Sequence, residues 1–361
     1  MKIGLIIYGT LDTLSGGYLY DRQLVAHLQR QGCQVEILSL PWRDYANHMS
    51  DNLRLGWARK IAAANYDVLL QDELNHPSLW LLNLYLRRIS RCPLVSIVHH
   101  LRSTEDHPAH LLPLYRTVEG LYLRSVDGFI YNSCTTRAIV EDRLGHAAPH
   151  VVAYPAADHR KPPDHATVVQ RIAKRLHQND PLQLLFVGNL MARKGLHTVL
   201  NAIARLQSTR WHLHVIGSHN IDPAYSAAMR HRANTLSLTP RITWHGQASD
   251  ESLAQLLANC DLLVMPSYEG FGIVYLEAMA FGLPVLAANA GAAQEIVSPA
   301  INGYLVSRDD DLALAGYIER LQQNRVHLAT LAYYARRHYE DHPTWMESMQ
   351  AAFRWLCEFA T

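Results

Sequence analysis

"AYPAADHRKPPDH" runs from Ala153 to His165, and its reading decides the fold. Pro155, Pro162 and Pro163 cannot continue a helix or a central strand. The stretch therefore reads as a linker between two domains. Ahead of it, short β-like runs alternate with helical patterns. "KIGLIIYG" reads as a buried strand, and "LSGG" as a glycine turn before "YLYDRQLVAHLQRQG". In that helix Leu24, Val25 and Leu28 share a face and Gly32 closes it. "QVEILSL", "YDVLLQ", "PLVSIVHH" and "DGFIYNS" are further strand candidates. Such alternation predicts a parallel sheet covered by helices.

Behind the linker the pattern restarts with "LQLLFVGN", then "WHLHVIG", "RITWHG", "DLLVMPS" and "LPVLAAN" as strands with helical stretches between them. The expected fold class is α/β, with two doubly wound Rossmann-like domains at 1–160 and 165–341. After Asp309 the chain reads as helical, and a last helix over about 342–361 packs back onto the first domain. Sheets of this type bind ligands outside the carboxyl ends of their strands. Two of them facing a central cleft would put a site in that cleft.

Composition narrows the function classes. Hydrophobic residues make up 49% of the 361, which suits a packed globular chain. The 33 basic and 32 acidic residues nearly cancel, so no footprint of a dedicated nucleic-acid binder is present. The five cysteines are scattered without a C-x-x-C, which fits free thiols in a reducing compartment. "LWLLNLYL" is the most apolar run and stops at Arg87 and Arg88, too short for a membrane span. A cytoplasmic protein is expected.

The chemistry concentrates in "EGFGIVYLEAMAFG", Glu269 to Gly282. A helix starting at or just after Glu269 would put Glu277 about 12 Å further along its axis, turned by roughly 80°. Glycosidase carboxyl pairs sit about 5 Å or about 6.5–9.5 Å apart, so these two acids fit neither arrangement. They suit an extended ligand touched at two points. Gly270 and Gly272 let that ligand approach the backbone, and free helix N–H groups attract anions. A diphosphate with an acid on each side describes a nucleotide sugar. The plainer alternative is that Glu269 caps the helix and Glu277 is a solvated side chain.

At this stretch the sequence resembles retaining glycosyltransferases of the GT-B fold, family 4 type. The resemblance rests on the E-x7-E motif from Glu269 to Glu277, on "DLLVMPS" before it, and on "EAMAFGLPVLAAN", "GAAQEIV" and "NGYLV" after it. It covers nearly the whole chain and is strongest from Leu184 to Val306. It implies that Glu269 touches the hydroxyls of the transferred sugar and Glu277 holds the nucleotide ribose. Phe271, Gly272 and Ile273 would offer backbone N–H groups to the diphosphate, with Gly270 beside them. In "FVGNLMARKG", Lys194 matches the phosphate-binding lysine, after Gly188 at the end of the strand. Asn189 stands where the family usually has arginine, and Arg193 is the candidate to supply that charge. Gly16 and Gly17 match the glycine turn near the donor phosphate. His99 matches a histidine near sugar and acceptor, and His100 stands where the family often has Asp. "PAAD" departs from the family's P-N-G-V-D, and Glu295 resembles a position near the donor.

The implied activity is retaining transfer from a nucleoside-diphosphate sugar to a hydroxyl acceptor: a glycan, a lipid-linked molecule or a small molecule. Glu269, His99, Lys194 and Arg193 are its expected catalytic residues. A front-face route is expected, in which the departing phosphate oxygen takes the acceptor proton. No cofactor and no essential metal are expected, because Lys194, Arg193 and the helix amides serve the phosphates. An epimerase or phosphorylase on the same architecture, or a non-catalytic nucleotide-sugar binder, are the alternatives.

Two other patterns stand outside this reading. "HHLRSTEDHPAH" clusters His99, His100, His107 and His110, which a metal could exploit, though no H-E-x-x-H occurs. "NLRLGWARKIAAA" spaces Leu53, Trp57 and Ile61 on one helical face, with Arg54, Arg59 and Lys60 nearby. That pattern suits a peripheral contact with the inner face of a membrane, or packing on its own domain. Arg87, Arg88 and Arg91 divide between the same two readings.

Overall fold

The computed structural model describes residues 1–176 and 180–360. The chain forms two compact units. One comprises Met1–Pro155 with Pro343–Thr361, the other Ala156–His342. Each is built on a six-stranded sheet in which every pairing is parallel.

In the first unit the strands are β1 (Lys2–Tyr8), β2 (Gln34–Leu40), β3 (Val68–Asp72), β4 (Leu94–Val98), β5 (Gly128–Tyr131) and β6 (His150–Val152). Their order is β2-β1-β3-β4-β5-β6, so the winding direction reverses between β1 and β3. Ile3, Leu5, Ile6 and Ile7 are fully buried, and so are Val95, Ile97 and Val98. Continuous apolar runs are what a sheet covered on both faces requires. The helix Trp345–Phe359 belongs to this unit. Its Trp345 ring packs edge-on against Tyr20, with centroids 5.8 Å apart, and Gln350 Oε1 lies 3.1 Å from His27 Nε2.

The second unit contains β7 (Leu182–Val187), β8 (Trp211–Ile216), β9 (Ile242–Gly246), β10 (Leu262–Met265), β11 (Val285–Ala288) and β12 (Gly303–Val306). Their order is β12-β11-β10-β7-β8-β9, with the reversal between β7 and β10. Crevices outside the strand ends at such reversals are where doubly wound sheets bind ligands. Among the described residues no helix is long and apolar enough to cross a membrane.

The proline-rich connection differs from the polar linker expected. Ala153, Ala156 and Ala157 are buried, and Asp158–Arg160 forms a 3-10 turn. A helix not foreseen, His165–Leu176, follows and packs Val168 and Ile172 against Ala332. Those two residues, four apart, were the helical signal in an otherwise polar stretch.

A buried amide pair ties the first sheet to the helix His76–Ile89. Gln71 on β3 donates to Asn83 Oδ1 (2.8 Å), and Asn83 donates back to Gln71 Oε1 (3.0 Å) and to Ser125 Oγ (2.9 Å). Removing one partner strands the other without solvent, whereas removing both does not. Asn83→Leu is therefore expected to cost the first unit about 1–3 kcal/mol. Adding Gln71→Leu should recover most of that loss in urea titrations.

Candidate functional site

In the second unit, the loops after β7 and β10 meet at the reversal. Gly195 makes this possible: its φ is +75°, and a Cβ there would lie 2.6 Å from the Pro266 carbonyl oxygen. The β7 loop makes a 3-10 turn, Ala192–Lys194. Its Lys194 Nζ reaches Glu269 Oε1 at 2.5 Å. Ser267, fully buried, donates to the same oxygen at 2.8 Å. Arg193 donates to the Tyr268 carbonyl at 3.3 Å. The structure thus brings Lys194, Arg193 and Glu269 together. Gly188 lies beneath them, where a Cβ would press on the Lys194 stem at 3.3 Å.

Glu269 does not lie on the following helix. That helix is Ile273–Ala280, capped by Gly272 at φ +99°. Two rigidly spaced acids on one axis, about 12 Å apart, are therefore corrected. Glu269 instead forms an isolated parallel bridge with Gly291, and its carbonyl accepts from Ala292 N at 3.2 Å. Gly291 is at φ +59°, and a Cβ there would sit 1.9 Å from the Glu269 carbonyl oxygen. Gly270 and Phe271 precede the helix and Ile273 opens it. No side chain caps its first turn and no acid lies in it, which leaves that end receptive to an anion.

Burial would push the Glu269 carboxyl up, but the Lys194 and Arg193 charges and the Lys194 and Ser267 hydrogen bonds outweigh it. The net direction is below the usual carboxylate range. Glu269 is thus held ionised.

Glu277 is 6% exposed, on the helix Ile273–Ala280. It is not the solvated side chain of the alternative reading. Arg160 Nε binds Glu277 Oε1, and His159 Nε2 lies 3.1 Å from the same oxygen. Arg160 also reaches Asp250 Oδ1 at 2.6 Å. Burial raises the Glu277 pKa, while His159 and Arg160 lower it further, so the net shift is downward. Sequence reasoning missed His159 and Arg160, because they lie in the stretch read as a linker. Asn189 has a backbone role: its Oδ1 accepts from Ser218 N at 3.3 Å. Glu295 lies in the short helix Ala293–Ile296.

In the first unit, Gly16 and Gly17 open the helix Gly16–Arg30, which Ser15 caps. A Cβ on Gly17 would be 3.1 Å from the His99 ring. His99, just past β4, is 8% exposed, and its Nε2 lies 3.4 Å from Asp21 Oδ1. Asp72, at the end of β3, completes a group whose donor atoms all lie within 4.8 Å of one another. Neither acid was foreseen. His100 and His107 turn instead to Glu105, at 3.1 and 3.8 Å. The four histidines of "HHLRSTEDHPAH" therefore do not converge, and the close donor set that includes one of them is Asp21, Asp72 and His99.

Burial raises both Asp21 and Asp72 to about 7, and the Asp21 charge adds to the effect on Asp72. Burial also lowers the His99 pKa, against the pull of Asp72. Such a donor set could hold a cation, but the raised carboxyls fit one proton shared between the two acids.

Residues 170–338, all in the second unit, match the sequence model of the family Glycosyl transferases group 1. The D-inositol 3-phosphate glycosyltransferase of Rhodococcus opacus is 34% identical over 164 residues, 43% of this chain and 36% of that protein. The alpha-D-kanosaminyltransferase of Streptomyces kanamyceticus is 27% identical over 248 residues, 65% of this chain and 63% of that protein. The matches span 35–53% of the length of the first curated relatives. Among solved structures, sucrose-phosphate synthase from Thermosynechococcus elongatus superposes with a TM-score of 0.82 at 22% identity, over 99% of this chain and 98% of that one. Anabaena Alr3699/HepE in complex with UDP and glucose gives 0.79 at 21% identity, over 99% and 100%. At such identities these likenesses show the fold, which is the two-unit Rossmann-like GT-B type.

The Asp21–Asp72 pair generates a pH prediction. A carboxyl raised from 3.8 to about 7 on folding favours the native state below its unfolded pKa, and that advantage is lost as pH rises through the folded value. Asp21→Asn should therefore stabilise the first unit at pH 8 by on the order of 2 kcal/mol, and leave it little changed at pH 4. Urea titrations at the two pH values test this; parallel shifts at both would rule out the shared proton.

Proposed function

We propose that this protein is a retaining glycosyltransferase that moves a sugar from a nucleoside-diphosphate sugar to a hydroxyl acceptor. One observation carries the reading. Lys194, Arg193 and an ionised, backbone-anchored Glu269 stand at the strand reversal of the second sheet, beside an uncapped helix start. The match of residues 170–338 to group 1 glycosyltransferases supports it. So do the Anabaena protein's complexes with UDP and UDP-glucose, which make UDP the first nucleotide to try.

In this mechanism the diphosphate takes the place at Lys194 that Glu269 now holds. Lys194, Arg193 and the amides of Phe271, Gly272 and Ile273 stabilise the charge that grows as the glycosidic bond breaks. Glu269, released from Lys194, accepts hydroxyls of the transferred sugar. Glu277, steadied by Arg160, accepts from the ribose. The acceptor oxygen bonds to the anomeric carbon on the face the diphosphate leaves, and its proton passes to the departing phosphate oxygen. The side-chain cations and the helix end supply the charge stabilisation, so we expect activity to survive a chelator. All five cysteines are free, which suits a cytoplasmic location.

A thermal-shift screen of nucleoside diphosphates and their sugars tests the donor. A true donor at about a hundred times its dissociation constant should stabilise by roughly 2.7 kcal/mol. Lys194→Ala should cost about 10²–10³ in kcat, the scale seen when a transition-state charge partner is removed. A covalent glycosyl adduct on Glu269, found by mass spectrometry, would replace front-face displacement with a double displacement.

A further inference from the structure

The first unit carries a layer of three neighbouring helices, Leu55–Ala63, His76–Ile89 and Leu112–Leu123, with the middle one packed against both others. Their inward residues already fill the core: Ala58 and Ile61, Leu79, Leu82 and Leu86, and Tyr122. Their outward faces are unusual in two ways. First, they expose large apolar side chains that no core claims. Leu81 and Leu84 are 39% and 46% exposed, and Leu114 and Leu121 on the adjacent helix are each 42% exposed. Single exposed leucines are ordinary, but a set shared by adjacent helices marks an interaction surface.

Second, every exposed charge on the three helices is positive. They carry Arg59, Lys60, Arg87, Arg88 and Arg116, and their one acid, Glu119, is fully buried. Glu119 is occupied internally, accepting from Ser103 N at 2.8 Å. Arg59 donates to Tyr85 Oη at 3.0 Å, which ties two of the helices together at the surface. The whole chain is nearly neutral at +1, so this is a local concentration and not a general excess of base.

We propose that this helical face docks on an anionic lipid bilayer. Arg87 is paired with Asp127 from a neighbouring loop, and leucines interspersed with Arg59, Lys60, Arg88 and Arg116 match a surface of negative headgroups over a hydrocarbon edge. A nucleic acid would use the cations but leave the leucines in water. A protein partner of basic surface would be repelled by the cations, and a neutral one would leave them without counter-charge. The proposal goes beyond the transfer reading and stands or falls without it.

Co-sedimentation with vesicles tests it. The full chain should pellet with phosphatidylcholine vesicles containing about 30% phosphatidylglycerol, and much less with pure phosphatidylcholine or at high salt. Lys60→Glu, Arg88→Glu and Arg116→Glu together should reduce partitioning by at least about fivefold per charge removed. Leu81→Ser with Leu84→Ser should weaken binding at unchanged charge, and this pair keeps the test open if the triple variant misfolds by circular dichroism. Equal pelleting with neutral vesicles would overturn the proposal, as would variants that bind like the parent. So would a dimer in light scattering that these variants dissociate while the parent ignores vesicles, which would make the face a contact between copies of this chain.

Discussion

The contact between Lys194 and Glu269 is the constraint on which the second unit's chemistry depends. Both side chains are mostly buried, at 15% and 13% exposure, and a buried charge without a partner is costly. Each neutralises the other, and Ser267 fixes which carboxylate oxygen the lysine meets. In the proposed reaction the Glu269 carboxylate stands in for a ligand at Lys194. A phosphate can replace the carboxylate at Lys194 only if Glu269 gains other donors, and a sugar rich in hydroxyls supplies them. A nucleoside diphosphate alone satisfies the lysine and leaves the acid short. On the proposed reading the pair would discriminate in favour of a complete donor without any contact dedicated to that purpose.

Glu277 follows the same logic with different partners. Arg160 and His159 both engage Oε1, and Arg160 continues to Asp250. Arginine suits this post because its planar fork can serve two carboxylates at once. Its position in the chain matters too: Arg160 lies in the turn that follows directly on the boundary between the two units, Pro155 to Ala156. The carboxylate assigned to the ribose is therefore braced by the connecting segment and not by its own domain's core.

The sheets were legible because parallel strands buried on both faces are continuous apolar runs, and "KIGLIIYG" or "DLLVMPS" can hardly be anything else in an alternating context. The motif from Glu269 to Glu277 was legible as a set of residues but not as geometry. Helical periodicity could not show that Gly272 at φ +99° delays the helix to Ile273, nor that Gly291, twenty-two positions on, pairs with Glu269. Asp21 and Asp72 were invisible for a different reason. One sits in a helix and the other at a strand end, in surroundings with no motif, and only the winding of the sheet, which sets β3 between β1 and β4, brings them to His99. Asn189 stands where the family usually has arginine, and its side-chain amide spans to the loop after β8, a contact that spacing could not show.

That contrast explains why the two units differ in how openly they declare themselves. The second carries glycines and cations at set spacings in loops that follow each other along the chain, the pattern that the fixed shape of the proposed diphosphate requires. The first gathers its polar groups from separated elements, each buried and each tuned by its neighbours. Two carboxyls and an imidazole in contact can share protons in few ways, and burial disfavours full ionisation of the acids. The group therefore carries less negative charge than its composition suggests. His99 then faces a partly neutralised pair, keeps its own pKa depressed, and remains an uncharged imidazole at neutral pH. An uncharged histidine can accept a hydrogen bond from a hydroxyl, which is the property its assigned place beside sugar and acceptor requires.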